Sequence, residues 1–135
     1  IVGGAACSSI ISTEDYRNLV NQGSTILTNS ASLEIFKGSR IFDWQHRGLV
    51  KFMAVANARP LLQSSNNWNA FALDHNGRPL AEIAPIASAD VEIRANNKIT
   101  PYTYLGEWVA LIGGIWLASD LLKQYATRLR GKSRS

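Results

Sequence analysis

Seven apolar and small residues open the chain, Ile1-Val2-Gly3-Gly4-Ala5-Ala6-Cys7, and Ser8-Ser9 closes the run. So short an apolar stretch between turn formers suits a fully buried strand that delivers Cys7 to its end. Thr13-Glu14-Asp15 reads as a helix start, with Thr at the cap and two acids in the first turn, where the helix dipole favours negative charge. This helix runs to about Asn21-Gln22 and stops at Gly23. The short segment Ser24-Thr25-Ile26-Leu27-Thr28-Asn29 is rich in β formers. Strand, helix and strand in fewer than thirty residues predict a βαβ unit.

Residues 30–43 show no clear period and read as a surface loop. From Trp44 to Ala58 the apolar positions Leu49, Val50, Phe52, Met53, Val55 and Ala56 recur at helical spacing, and Pro60 marks the end. Strands are predicted over Leu61–Ser65, Ala70–Asp74, Leu80–Ala84 and Ala89–Arg94. His75-Asn76-Gly77-Arg78 is a hairpin signal, because Asn-Gly tolerates the positive φ of a tight turn.

The last segment changes character. Between Glu107 and Asp120 lie twelve uncharged, mostly apolar residues. As a helix these cover about 18 Å, against roughly 30 Å of bilayer hydrocarbon. Length alone fits a buried or interfacial helix as well as a spanning one. Tyr102, Tyr104 and Trp108 at one end, Tyr125 at the other and a basic cluster beyond favour a membrane span.

The net charge of +4 is concentrated at that end. Lys123, Arg128, Arg130, Lys132 and Arg134 have no acid among them, whereas residues 1–122 carry nine bases against ten acids. A basic tail rather than a basic face argues against nucleic acid as a partner. One cysteine forms no internal disulfide. The two histidines and the cysteine are not at metal-ligand spacing, so neither a metal nor another cofactor is implied.

The opening Ile-Val-Gly-Gly matches the N-terminus of activated chymotrypsin-like proteases. That chemistry needs His, Asp and Ser in that chain order. No Gly-Asp-Ser-Gly-type nucleophile segment is present, and 135 residues are too few for a double β-barrel. The protease reading fails.

A small-residue strand ending in Cys7, a helix with an acidic start and then Ile26-Leu27-Thr28-Asn29-Ser30-Ala31 resemble the surroundings of the nucleophile in the nitrilase, or carbon–nitrogen hydrolase, superfamily. Trp44-Gln45-His46 and Ala58-Arg59-Pro60-Leu61-Leu62-Gln63-Ser64-Ser65-Asn66-Asn67 narrow the resemblance to the apolipoprotein N-acyltransferases. Asp74-His75-Asn76-Gly77 and Ile99-Thr100-Pro101-Tyr102 add to it. The resemblance implies an α/β fold: residues 1–100 as the C-terminal half of a nitrilase-like α-β-β-α sandwich, 101–123 as a C-terminal transmembrane helix and 124–135 as a basic cytoplasmic tail. It implies a bacterial inner-membrane enzyme whose catalytic part faces the periplasm. Cys7 would take an acyl chain from a phospholipid as a thioester and pass it to the N-terminal amine of an apolipoprotein. A thiolate suits the task, because it is the best side-chain nucleophile near neutral pH and a covalent intermediate splits a hard step in two. In the family a Glu base and an oxyanion-holding Lys precede the cysteine strand, so the chain resembles the C-terminal portion of a longer enzyme. No motif assigns those roles to Glu14, Glu34 or Lys37, which read as exposed charges.

The same resemblance makes Ser8, Ser9, Asn29, Trp44, His46 and Asn66 candidates for substrate contact or support of the site. Ser8-Ser9 stands where the family usually has Tyr-Glu, and a serine hydroxyl carries no charge at neutral pH. Asn29-Ser30-Ala31-Ser32-Leu33-Glu34 lacks the aromatic pair of the usual Asn-Asp-Ala-Trp-Phe-Gly, and Trp68 replaces a Gly. These departures leave open a divergent acyltransferase or a non-catalytic relative serving as a membrane-associated scaffold. A soluble nitrilase-type amidase is the remaining alternative.

Overall fold

The computed structural model describes residues 1–132, with side chains described except for Val109 and residues 126–132. Two compact units are present, residues 1–104 and residues 105–135.

The first unit is a five-stranded sheet in the order β1 (Val2–Ala6), β2 (Ile26–Ser32), β3 (Leu61–Asn66), β4 (Ala70–Leu73) and β5 (Pro79–Ile83). The first three strands are parallel, and β4 and β5 are added antiparallel. Helix α1 (Thr13–Asn21) connects β1 to β2, and α2 (Arg40–Ala56) connects β2 to β3. Two successive crossovers step in one direction, and both helices pack into one core on the same face. The core lies under that face: Tyr16 and Val20 of α1 and Val50, Met53 and Ala54 of α2 meet Leu27, Leu61, Phe71 and Leu73. The opposite face is open, with Gly4, Ala6, Ser30 and Ser64 exposed and Thr28 and Leu62 half-buried.

Local chemistry explains the element ends. The cap of α1 is Ser12, one residue before the expected Thr13; its hydroxyl accepts from the Asp15 N–H at 3.3 Å. Helix α2 begins at Arg40 rather than Trp44, because Ser39 accepts from the Phe42 N–H and caps a turn that the polar mixture around it had hidden. Its C-terminus closes with Ala58 at φ +47, the Ala58 N–H on the Val55 carbonyl and the Arg59 N–H on the Ala54 carbonyl. That is a Schellman closure made without glycine. The predicted strand over Ala89–Arg94 does not form. Val91 and Ile93 are half-buried between exposed neighbours, which produced the alternating signal, but residues 84–100 run outside the sheet.

The glycines at the start have a packing reason. A Cβ on Gly3 would collide with the Ser24 side chain, whereas one on Gly4 would meet only Thr28 Oγ1 at 3.4 Å. Ser24 in turn is buried where Arg59 gathers four carbonyls: Ser24 at 2.7 Å, Lys98 at 2.5 Å, Ala58 at 3.2 Å and Asn57 at 3.3 Å. Arg59 thereby ties the helix end, the entry to β2 and the segment before α3 (Pro101–Leu105) into one knot.

In the second unit, Gly106 at φ +67 separates α3 from α4 (Trp108–Lys132). Leu111, Ile112, Ile115, Trp116, Leu121 and Leu122 of α4 are exposed. No helix, among the described residues, is long and apolar enough to cross a membrane. The expected transmembrane helix over 101–123 is therefore corrected: Gly106 breaks that stretch, and Glu107 and Asp120 limit its uncharged part to twelve residues. Most of the basic tail predicted over 124–135 has side chains outside the described residues.

Candidate functional site

The C-terminal ends of parallel strands are where open α/β sheets place ligands, because the loops there diverge above the sheet. Cys7 follows the last residue of β1 directly and opens a 3₁₀ turn over Cys7–Ile11. Its side chain is exposed, and its φ is +53. A non-glycine residue in this region carries strain of about 1 kcal/mol, of the kind that persists where the surroundings enforce it. The strand, the sharp turn and the buried Ile10 behind it present the thiol outward. Ser8 is exposed beside it; Ser9 is half-buried and its carbonyl accepts from the Ser12 N–H at 3.0 Å.

Asn66 ends β3 opposite Ser32 of β2 and is exposed. It shares the edge with Cys7 at a separation of two strand spacings, about 10 Å. Asn29 and His46 lie inside. Asn29, Gln63 and Phe71 form one row across the sheet under α2. The Asn29 amide donates to Gln63 Oε1 at 2.8 Å, and Gln63 donates on to the Ser64 carbonyl at 2.8 Å. His46 sits between the rings of Phe42 and Phe71, at centroid distances of 5.6 and 6.4 Å. Burial holds its pKa below the usual histidine value, against the opposing pull of Gln63 and Asp43. Neither side chain reaches the surface. Trp44 points the other way, 76% exposed on the outer side of α2.

A polar cluster without any sequence motif lies at this edge. Arg47 donates from Nε to both oxygens of Asp43 at 3.0 Å and from its terminal nitrogen to Glu82 at 2.7 Å, with its guanidinium 5.1 Å from the Phe71 ring centre. The Trp68 indole donates to Asp43 at 3.0 Å, and Asn69 donates to Glu82 at 2.7 Å. Those bonds from Arg47 and Asn69 hold the Glu82 carboxyl below the usual range. Asp43, Arg47, Trp68 and Asn69 of this cluster line an open cleft of about 510 Å³ between α2 and the β3–β4 connection. Only the i,i+4 pair Asp43–Arg47 was visible as a sequence signal. Among the described residues, no group of three or more His, Cys, Asp or Glu side chains is placed to hold a metal.

No family model matches the chain. Individual relatives do. The chain is 26% identical over 134 residues to an apolipoprotein N-acyltransferase of Photobacterium profundum, covering 96% of this chain and 26% of that protein. It is 30% identical over 119 residues to one of Vibrio vulnificus, covering 87% of this chain and 23% of that protein. The chain thus spans about a quarter of the length of the curated relatives it matches. In fold it is similar to a carbon–nitrogen hydrolase from Helicobacter pylori, with a TM-score of 0.55 and 18% identity over 69% of this chain and 40% of that one. It is also similar to an amidase from Nesterenkonia, whose active-site cysteine is the site of acrylamide addition, with a TM-score of 0.52 and 17% identity over 62% of this chain and 34% of that one. In sequence the chain is thus similar to part of the apolipoprotein N-acyltransferases, and in fold to part of a carbon–nitrogen hydrolase.

Proposed function

We propose that this chain is the C-terminal portion of a membrane acyltransferase that uses Cys7 as its nucleophile. The Cys7 thiolate attacks the ester carbonyl of a phospholipid, forming a thioester and expelling the lysophospholipid alkoxide, which takes up the proton lost by the thiol. The N-terminal amine of an apolipoprotein then attacks the thioester, forming an amide and returning the thiol. The observation that carries this reading is the exposed thiol on a positive-φ turn at the end of the first parallel strand, in a chain related to acyltransferases. The open sheet face suits packing against a second sheet, as in an α-β-β-α sandwich, about 10 Å away. The localisation that accompanies this reading is the bacterial inner membrane, with the catalytic unit on the periplasmic side.

Membranes holding the protein, supplied with phospholipid carrying a labelled acyl chain, should yield hydroxylamine-sensitive label that Cys7→Ala abolishes. Absence of label from folded protein overturns the reading. The Nesterenkonia amidase supports a second reading, attack of Cys7 on a small amide. Acrylamide hydrolysis without acyl label would select it.

A further inference from the structure

Helix α2 is apolar on both sides. Val50, Met53 and Ala54 face the core, while past the first residue the exposed positions are 41, 44, 45, 48, 51, 52 and 55. Ile41 is 73% exposed, Trp44 76%, Phe52 45% and Val55 46%. Phe52 keeps that exposure although the Tyr102 ring lies edge-on to it at 5.8 Å. A helix apolar all round is ordinarily a buried helix, so the outer stripe calls for a cover.

The stripe has a centre. Counted from Gly48, Gln45 and Lys51 stand three residues to either side, Trp44 and Phe52 four, and Ile41 and Val55 seven. Any helical face repeats at such intervals. Here the side chains match as well: polar with polar at three, ring with ring at four, β-branched with β-branched at seven. The exposed segment before α2, where Ile35 is 85% exposed, has no exposed counterpart just past Ala56 and lies outside this symmetry. A surface that reads alike in both directions from its centre is what an isologous two-fold contact requires. When two α2 helices cross antiparallel through Gly48, Trp44 of one copy comes level with Phe52 of the other, and Ile41 with Val55.

Gly48 fits that arrangement. Glycine is the poorest helix former after proline, and a Cβ at Gly48 would meet nothing within 4 Å beyond its own helix backbone, so no contact inside the chain requires it. A second backbone crossing the stripe supplies the reason, because glycine admits the closest approach. A hollow of about 590 Å³ lies over it, with Trp44, Gln45, Leu49 and Lys51 in its wall. Aromatic side chains present roughly 150–250 Å² each, so the four apolar residues expose on the order of 400 Å² per copy. With the stems of Gln45 and Lys51, pairing removes about 1,000–1,200 Å² in total, the lower end for a specific interface.

We propose that the outer face of α2 is a self-association surface, on which a second copy of this chain packs antiparallel about Gly48. The proposal is independent of the chemistry at Cys7, and it gives Trp44 a protein partner in place of a substrate.

The test uses the full chain with Cys7→Ser, so that one introduced cysteine is the single thiol. Gly48→Cys should oxidise to a disulfide-linked dimer, because the two-fold axis brings the two copies of residue 48 within disulfide reach. Asn66→Cys, exposed at the end of β3, should not. Without oxidant, sedimentation should show a dimer with a Kd of roughly 1–100 μM. Gly48→Leu should weaken that dimer at least about tenfold while raising the urea midpoint of the fold, since leucine is the better helix former and the space above it is open. Trp44→Gln, a second exposed change, should weaken the dimer likewise. A chain that stays monomeric well above that range overturns the proposal, as does a dimer indifferent to Gly48→Leu and Trp44→Gln. Equal cross-linking at positions 48 and 66 overturns it in favour of unspecific association. Absence of the position 48 cross-link, with a Trp44-dependent fluorescence shift on phospholipid vesicles, overturns it in favour of a lipid contact.

Discussion

The two ends of the parallel strands are built to opposite specifications. At the N-terminal end Arg59 is 2% exposed and its guanidinium is satisfied by backbone carbonyls from three segments. At the C-terminal end Arg47 is half-exposed and paired with two carboxylates, and the same end of the sheet carries an exposed thiol and an exposed apolar segment. A buried cation must have its donors matched, so the first end is fixed. Around the second, partial exposure leaves room for a ligand and tolerates strain at Cys7. One end buries its cation among carbonyls, and the other leaves a thiol in the open.

Breaking the closed end should have the largest effect. Arg59→Met leaves four carbonyls without their buried donor and should cost about 3–5 kcal/mol in urea denaturation; a loss below about 1 kcal/mol would erase the contrast. Gly3→Ala should cost about 1–3 kcal/mol through its collision with Ser24, with Gly4→Ala tolerated far better, by the same measurement.

His46 lies between the two ends, and its lowered pKa gives a sign. Below its ordinary value of 6.5 the unfolded chain takes up the proton more readily than the folded one, so stability falls as pH drops through 6.5 toward the folded value. His46→Gln should flatten the stability profile between about pH 7 and pH 5. Unchanged slopes would show that the imidazole is hydrated in the folded state.

At the open end the effect should reverse in sign. Cys7→Gly relieves the φ of +53 and should stabilise the fold by up to about 1 kcal/mol while abolishing thiol labelling. Glu82→Gln breaks an exposed pair and should shift stability by less than about 1 kcal/mol.

Much of the closed end was legible in local patterns. The βαβ start, the helix ending before Pro60 and the Asp74-His75-Asn76-Gly77 turn follow from spacing and turn chemistry. The turn is wider than two residues, because Asp74 accepts the Asn76 and Arg78 N–H groups, each at 2.8 Å. The open end was less legible. Trp68 and Asp43 are 25 positions apart, and Arg47 and Glu82 are 35, so no periodicity links them. Asn29 and His46 read from their motifs as candidates for substrate contact or support of the site, and only the sheet row and α2 that enclose them show both to be buried. The alternation of residues 89–94 resembled a strand because local pattern reports which side chains are half-buried, not whether a neighbouring edge is available.

The sequence by itself determined the opening βαβ unit, the delivery of Cys7 to the end of a small-residue strand and the similarity to the acyltransferases, because these reside in contiguous residues and their spacing. Tertiary structure alone decided that Arg59 would knot one end, that Arg47 would bridge Asp43 and Glu82 at the other, and that Ile35 and Trp44 would face outward. Each of these depends on which segments the sheet brings within a few ångströms of one another, and residues distant along the chain carry no local signal of that meeting.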